Sequence, residues 1–262
     1  GSVGFLGNAL TLDSTLPPFT DLTGTLEFSE QGLALRAMAA TFLGGPLKVE
    51  GETSGPGRFT LRAQGRIDAA GMRGVVDNPL TRRLTGETGY KGGIDVSRRA
   101  ASITLESDLT GLAASLPAPF TKTADAAWPL KVQTTAQLPA DPNARSMRDT
   151  IRVELRDSVR LALERERDPR SERLLIKRGA FAIDAEPVLP EQGLSLLLNT
   201  AAIDLDAWMP LLMGGEMRDA QQRAATEFAP GFSLLPSTVS VVSPQVTVGG
   251  KRLHDVVFGA TR

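Results

Sequence analysis

The chain has 262 residues, 41% of them apolar and 23% charged, enough to bury a substantial core. Its net charge of −1 argues against nucleic acid as a partner, because that binding rests on excess positive charge. The absence of Cys excludes disulfides, thiolate metal sites and a Cys nucleophile, and 5% aromatic residues leave few stacking platforms for bases or sugars.

Taken in order, residues 1 to 68 read as strands throughout. Thr25-Leu26-Glu27-Phe28, Pro46-Leu47-Lys48-Val49 and Arg58-Phe59-Thr60-Leu61-Arg62-Ala63 alternate apolar and polar residues. A period of two places every second side chain on one face of a sheet. Gly44-Gly45-Pro46 and Ser54-Gly55-Pro56-Gly57 are the clearest turns. Asp68 predicts a helix N-cap, with the helix over Ala69 to Val76. Asn78-Pro79 opens a second short helix that carries Leu80 and Leu84 and ends before Gly86.

Strands resume near Thr88. The spacing predicts a strand from Tyr90 that turns at Gly92-Gly93 and leaves through Ile94-Asp95-Val96. Ser97 to Ala100 forms the next turn, and a strand with Ile103-Thr104-Leu105 runs to Leu109. Residues 112 to 129, with three prolines, read as irregular, and Pro139 to Met147 is the linker candidate and the weak boundary. Ile151 to Leu155, Val159 to Glu166 and Leu174 to Ile183 return to alternation, the last two flanking a turn at Asp168-Pro169-Arg170-Ser171. Leu194 to Leu198, apolar but for Ser195, reads as an apolar strand or one buried on both faces. Asp204 or Asp206 caps a helix with Trp208, Leu211 and Leu212, and a second helix is expected from about Glu216 to Phe228. Three strands close the chain, around Val239-Ser240-Val241, Val246-Thr247-Val248 and Val256 to Ala260. The fold class is mainly β: a long curled antiparallel sheet, groove-like or open and barrel-like, with two to four short helices packed on it.

Residue types that carry catalysis do not converge in this sequence. The single histidine, His254, precedes Asp255, but strand neighbours point to opposite faces, so the pair is a poor base and orienter. Glu27, Glu50, Glu52, Asp184, Glu186, Asp204 and Asp206 show no spacing that singles out an acid–base or metal-binding pair. Phosphate-cradling glycine motifs and a Gly-x-Ser-x-Gly elbow are absent. The charged run from Glu164 to Arg173 reads as a solvated hairpin with cross-strand ion pairs. No enzyme activity, cofactor or metal is therefore expected. No apolar run approaches the roughly 18 residues that span a bilayer, and no signal peptide is visible. Both ends read as the edges of a piece cut from a longer protein.

Several stretches in joint order resemble the AsmA-like family of bacterial envelope proteins, in particular its large YhdP-type members. They are Leu22-Thr23-Gly24-Thr25-Leu26-Glu27-Phe28 with Phe42-Leu43-Gly44-Gly45-Pro46, then Gly111-Leu112 to Pro119-Phe120 with Trp128-Pro129-Leu130. Ala202-Ile203-Asp204-Leu205-Asp206-Ala207-Trp208 and the close from Val248 to Phe258 complete the match. The resemblance implies one elongated β-groove segment, residues 1 to 262, internal to a longer protein anchored in the inner membrane and crossing the periplasm. It also implies an apolar concave face that carries phospholipid acyl chains between the inner and outer membranes. The implied partners are those chains and neighbouring segments of the same protein.

The residues expected to line the groove are the alternating apolar ones. In the first half these are Leu26, Phe28, Leu35, Leu47, Val49, Phe59, Leu61, Ile103 and Leu105. In the second half they are Ile151, Val153, Leu155, Leu161, Leu163, Ile176, Leu196, Val241 and Val248. The sequence leaves open which phase faces the groove. The rival reading is a non-catalytic scaffold for outer-membrane assembly that binds proteins at its sheet edges.

Overall fold

The computed structural model describes residues 1–11, 18–97, 100–137, 148–167, 174–216, 219, 222 and 236–262. The protein is mainly β, and its described residues form seventeen strands and two short α-helices. They group into two compact units, Gly1–Ala114 with Lys122–Leu130, and Ser115–Thr121 with Lys131–Arg262.

The first unit is a meander. β1 (Ser2–Leu10), β2 (Phe19–Ser29), β3 (Gly32–Phe42), β4 (Gly45–Gly55), β5 (Arg58–Asp68), β6 (Leu84–Ser97) and β7 (Ala100–Ser107) each pair antiparallel with the next. β8 (Leu112–Ser115) adds to β6, β9 (Thr121–Lys122) follows in the chain, and β10 (Leu130–Gln137) belongs to the second unit from Lys131 on. The predicted turn at Gly44 is a two-residue loop with φ of 51° at Leu43 and 80° at Gly44, the twist that hairpins favour. Helix α1 (Ala69–Val75) starts as predicted, with the Asp68 carboxylate accepting from the Gly71 amide at 2.6 Å. It lies against that turn: a Cβ on Gly71 would stand 1.9 Å from the Leu43 carbonyl oxygen.

Two expectations for this unit are corrected. The helix expected after Asn78-Pro79 is a single 3-10 turn, Thr81–Arg83, because Leu84 already enters β6. The Asn78 side chain holds that turn by accepting from the Leu80 and Thr81 amides. The expected turn at Gly92-Gly93 is continuous strand, paired with β5 and β7 on either side. Gly93 is there for room: a Cβ would meet the Arg62 guanidinium at 2.9 Å.

In the second unit, β11 (Arg148–Leu155), β12 (Val159–Arg167) and β13 (Leu174–Ile183) are antiparallel. The pattern then changes. β14 (Gly193–Asn199) runs parallel to β13, β16 (Thr238–Val248) parallel to β14, and the short β15 (Ala202–Asp204) parallel to β16. β17 (Lys251–Thr261) closes antiparallel on β16 through the positive-φ turn Gly249-Gly250. The purely antiparallel expectation thus fails at β13–β16, where the connections are crossovers rather than hairpins. The three expected closing strands are two, because β16 runs through Pro244. Its partner β14 pairs as far as Val242 and β15 resumes at Gln245, so the proline falls where no ladder donor is needed.

Helix α2 (Leu205–Met213) is capped by Asp204, whose carboxylate accepts from the Ala207 amide. Asp206 instead accepts from the Gly249 and Gly250 amides, each at 2.7 Å, and fastens the β16–β17 turn to the helix. Trp208 donates to the Ala118 carbonyl at 3.0 Å and packs edge-on against Phe120. The linker candidate at 139–147, the turn at 168–171 and nearly all of the helix expected at 216–228 lie outside the described residues.

Candidate functional site: two apolar sheet faces

Register in the first unit assembles one apolar face strand by strand. Leu26 stands opposite Leu35, Leu35 opposite Gly51, Gly51 opposite Leu61, Leu61 opposite Ile94 and Ile94 opposite Ile103. Beside this row run Met38, Val49, Ala63, Gly92 and Leu105, again partner by partner. A bulge keeps the rows in phase. Between the Leu35–Gly51 and Met38–Val49 pairs, Arg36 and Ala37 face Glu50 alone on β4, and Ala37 takes up the excess with φ of 50°. Leu22, Met38 and Ala40 form the buried centre, with Phe5, Phe19, Leu35 and Val49 packed on it.

Charge is segregated to the other side. Arg62 holds Asp95, Arg66 holds Glu87 at 2.7 Å and Arg36 approaches Glu27, all at alternate positions to the apolar rows. Hydrogen bonds from Arg62 and, more weakly, Thr60 hold the Asp95 carboxyl below the usual carboxylate range. The Glu87 carboxylate, through its hydrogen bond first, raises the Arg66 guanidinium further.

The apolar floor is built from glycine and the large side chains that lie over it. A Cβ on Gly51 would press on Phe59 and Leu35, and one on Gly65 would meet the Tyr90 hydroxyl at 2.8 Å. Most residues of this face are half-buried. Leu47 is buried, whereas Phe28 and Ile103 are 45% and 48% exposed.

The second unit repeats the design. Ile151, Val153 and Leu155 stand opposite Leu163, Leu161 and Val159, which continue to Gly179, Phe181 and Ile183 and then to Leu194, Leu196 and Leu198. Leu196 and Leu198 pass the row on to Val239 and Val241, and Val241 to Phe258. One end of the face carries a fixed ion pair: Arg165 donates through Nε and Nη2 to the two carboxylate oxygens of Asp149, 3% exposed.

The opposite side of this unit is the covered one. Arg160, Arg178 and Ser195 donate to the carbonyls of Ala185, Pro190 and Val188, so residues 185–190 cross that side. Beneath it Ala180 and Ala182 are fully buried. Glu164 takes two hydrogen bonds from Arg178 there, and Lys177 reaches Glu166 at 3.1 Å, the cross-strand ion pairs that the charged run predicts. The crossover therefore covers small and charged residues and leaves most of the aliphatic rows half-buried, with Val159 and Ile183 buried.

The structure brings the expected first-half residues, Leu26 through Leu105, onto one face. In the second half Ile151, Val153, Leu155, Leu161, Leu163, Leu196 and Val241 share a face. Ile176 joins it because the β12–β13 bulge sets it against Arg165. Val248 does not: seven residues from Val241 on a continuous strand, it falls on the opposite face. Sequence reading missed Phe5, Leu22, Met38 and Phe181, and the phase of Tyr90. The first three are separated by bulges that break strict alternation, and β13 offers no clean period.

His254 is exposed on β17 opposite Gln245. Among the described residues no three His, Cys, Asp or Glu side chains gather as a metal cluster, and no helix is long and apolar enough to cross a membrane.

A one-faced β protein built on rows of small aliphatic residues is the class these observations define. The family model described as YhdP protein matches residues 1–262, and the chain belongs to that family of cell-envelope proteins. Neither the curated proteins nor the solved structures give a match to it.

Proposed function

We propose that this chain is a periplasmic segment of a longer, inner-membrane-anchored YhdP-type protein, and that its apolar faces carry phospholipid acyl chains between the inner and outer membranes. Family membership supports a role related to lipid transport in the envelope. The observation that carries the reading is the placement of cover in the second unit: the crossover at 185–190 lies over the small and charged side, and most of the aliphatic rows, Val159 and Ile183 apart, stay half-buried. A fold built only for stability gains more by covering the aliphatic side, at roughly 25 cal/mol per Å² of apolar surface.

Acyl chains suit such a surface. Each methylene removed from water contributes roughly 0.8 kcal/mol, so burial of the two chains supplies most of the affinity for a two-chain lipid. Aliphatic rows without charged hooks also let a chain slide, which transport requires. No chemistry is performed on the lipid in this reading, and neighbouring segments of the same long chain are the protein partners.

Native mass spectrometry of the purified chain tests it. Co-purifying diacyl phospholipid is the expected result. A lipid-free protein that also takes up none from vesicles of phosphatidylethanolamine and phosphatidylglycerol contradicts it and favours the edge-binding scaffold.

A further inference from the structure

The apolar face of the first unit carries one hydroxyl that the fold does not use. Tyr90, the single tyrosine of the chain, stands opposite Gly65 on β5, so its ring lies on the face of Leu47, Ala63 and Leu105. The position of its oxygen is set by the missing side chain beneath it, since a Cβ on Gly65 would stand 2.8 Å from that oxygen and 2.9 Å from Cζ. Two other hydroxyls lie close by and are spent. Ser107 donates to the Gly89 carbonyl at 2.7 Å, and Thr88 lies 3.3 Å from Ser107. The Tyr90 hydroxyl has no hydrogen-bond partner among the described residues, and its oxygen is open at the surface of the face, since no buried side-chain polar atom among them lacks a partner.

From this geometry we infer that Tyr90 donates a hydrogen bond to an ester carbonyl of a diacyl glycerolipid lying on the face, and so registers the boundary between acyl chains and glycerol backbone. The inference rests on the acyl-binding function proposed above. The acceptor is a neutral ester rather than a phosphate because the surrounding cations are on the wrong side. Arg66 and Lys91 alternate onto the opposite face, as do Glu87 and Glu106. A phosphate brought to Tyr90 would lose its hydration without gaining a counter-charge. Burial alone raises the Tyr90 phenol above its ordinary range, so the group is a protonated donor at neutral pH.

The test loads the 262-residue chain from an equimolar mixture of dioleoyl phosphatidylethanolamine and its dioleyl ether analogue, which lacks the carbonyls. Native mass spectrometry then reads the bound ratio. The expected result is a preference for the ester lipid of roughly three- to tenfold, the worth of one hydrogen bond, and its loss in Tyr90→Phe, whose ester-lipid loading falls to the level of the ether analogue. Because Tyr90 is the only tyrosine, its alkaline absorbance titration reports the same contact directly, and its midpoint moves up when the ester lipid is bound. Equal loading of the two lipids by the wild-type chain, or a preference that survives Tyr90→Phe, overturns the hydrogen bond and leaves acyl binding intact. Failure to load either lipid overturns both.

Discussion

Lys122 shows how much one residue can organise. The irregular stretch after β7 has few ladder bonds, and this buried ammonium collects three carbonyls, of Leu109, Leu112 and Thr123, at 2.7 to 3.1 Å. Lys122→Met keeps the apolar stem but leaves those carbonyls without their donor. A loss of about 3 kcal/mol or more is expected in urea unfolding, at roughly 1 kcal/mol or more for each bond to a charged donor. Asp95 makes a smaller and pH-dependent contribution. Its carboxyl is held low by Arg62 first and Thr60 second, so its stabilisation is present above the ordinary carboxylate range and is lost as pH falls through the lowered value. Asp95→Asn therefore flattens the acid side of the stability–pH curve. The pair is exposed, so the difference shrinks at high salt.

Elements were legible in the sequence where alternation is strict. β4, β5, β11 and β12 follow Leu47-Lys48-Val49, Phe59-Thr60-Leu61, Ile151-Arg152-Val153 and Leu161-Ala162-Leu163, and their registers put those residues on one face, as period two requires. The helix cap at Asp68, and the second cap as a choice between Asp204 and Asp206 that falls on Asp204, were legible for a similar reason, since an Asx residue before an apolar turn has a local function. Departures came from tertiary context. Gly92-Gly93 looks like a hairpin turn until Arg62 is seen to need the room. Ser243-Pro244 looks like a break until the gap between β14 and β15 is seen to excuse the proline. The parallel pairings of β13 to β16 depend on crossovers that carry no local signal. The fastening of α2 by Asp206 was equally invisible, because its partners are 43 and 44 residues away. Asp206→Ala is expected to speed amide exchange at Gly249 and Gly250 selectively and to leave the Asp204 cap at Ala207 protected.

At the scale of the whole molecule, both units have the same cross-section: an aliphatic face and a charged or covered reverse. This is the property expected of a surface for acyl chains, and it makes the two faces experimentally separable. Leu61→Glu and Val153→Glu place a charge among the aliphatic rows, whereas Gln64→Glu and Arg152→Glu place one on the reverse. Lipid loading is expected to fall at least tenfold in the first pair and to stay within twofold in the second, with circular dichroism unchanged in all four. Tenfold corresponds to about 1.4 kcal/mol, less than the penalty for pressing an unpaired carboxylate against an acyl chain.

Site-specific photocrosslinking tests the central claim most directly. A benzophenone side chain is placed in turn at Leu61, Ile94, Val153 and Leu196, and at Arg62, Asp95, Arg152 and Ser195, and the protein is irradiated after loading with phospholipid. Crosslinks to lipid from the first four positions and none from the second four are the predicted result. Crosslinks from the charged side, or equal labelling of both, would contradict the assignment of the apolar faces as the lipid-carrying surface.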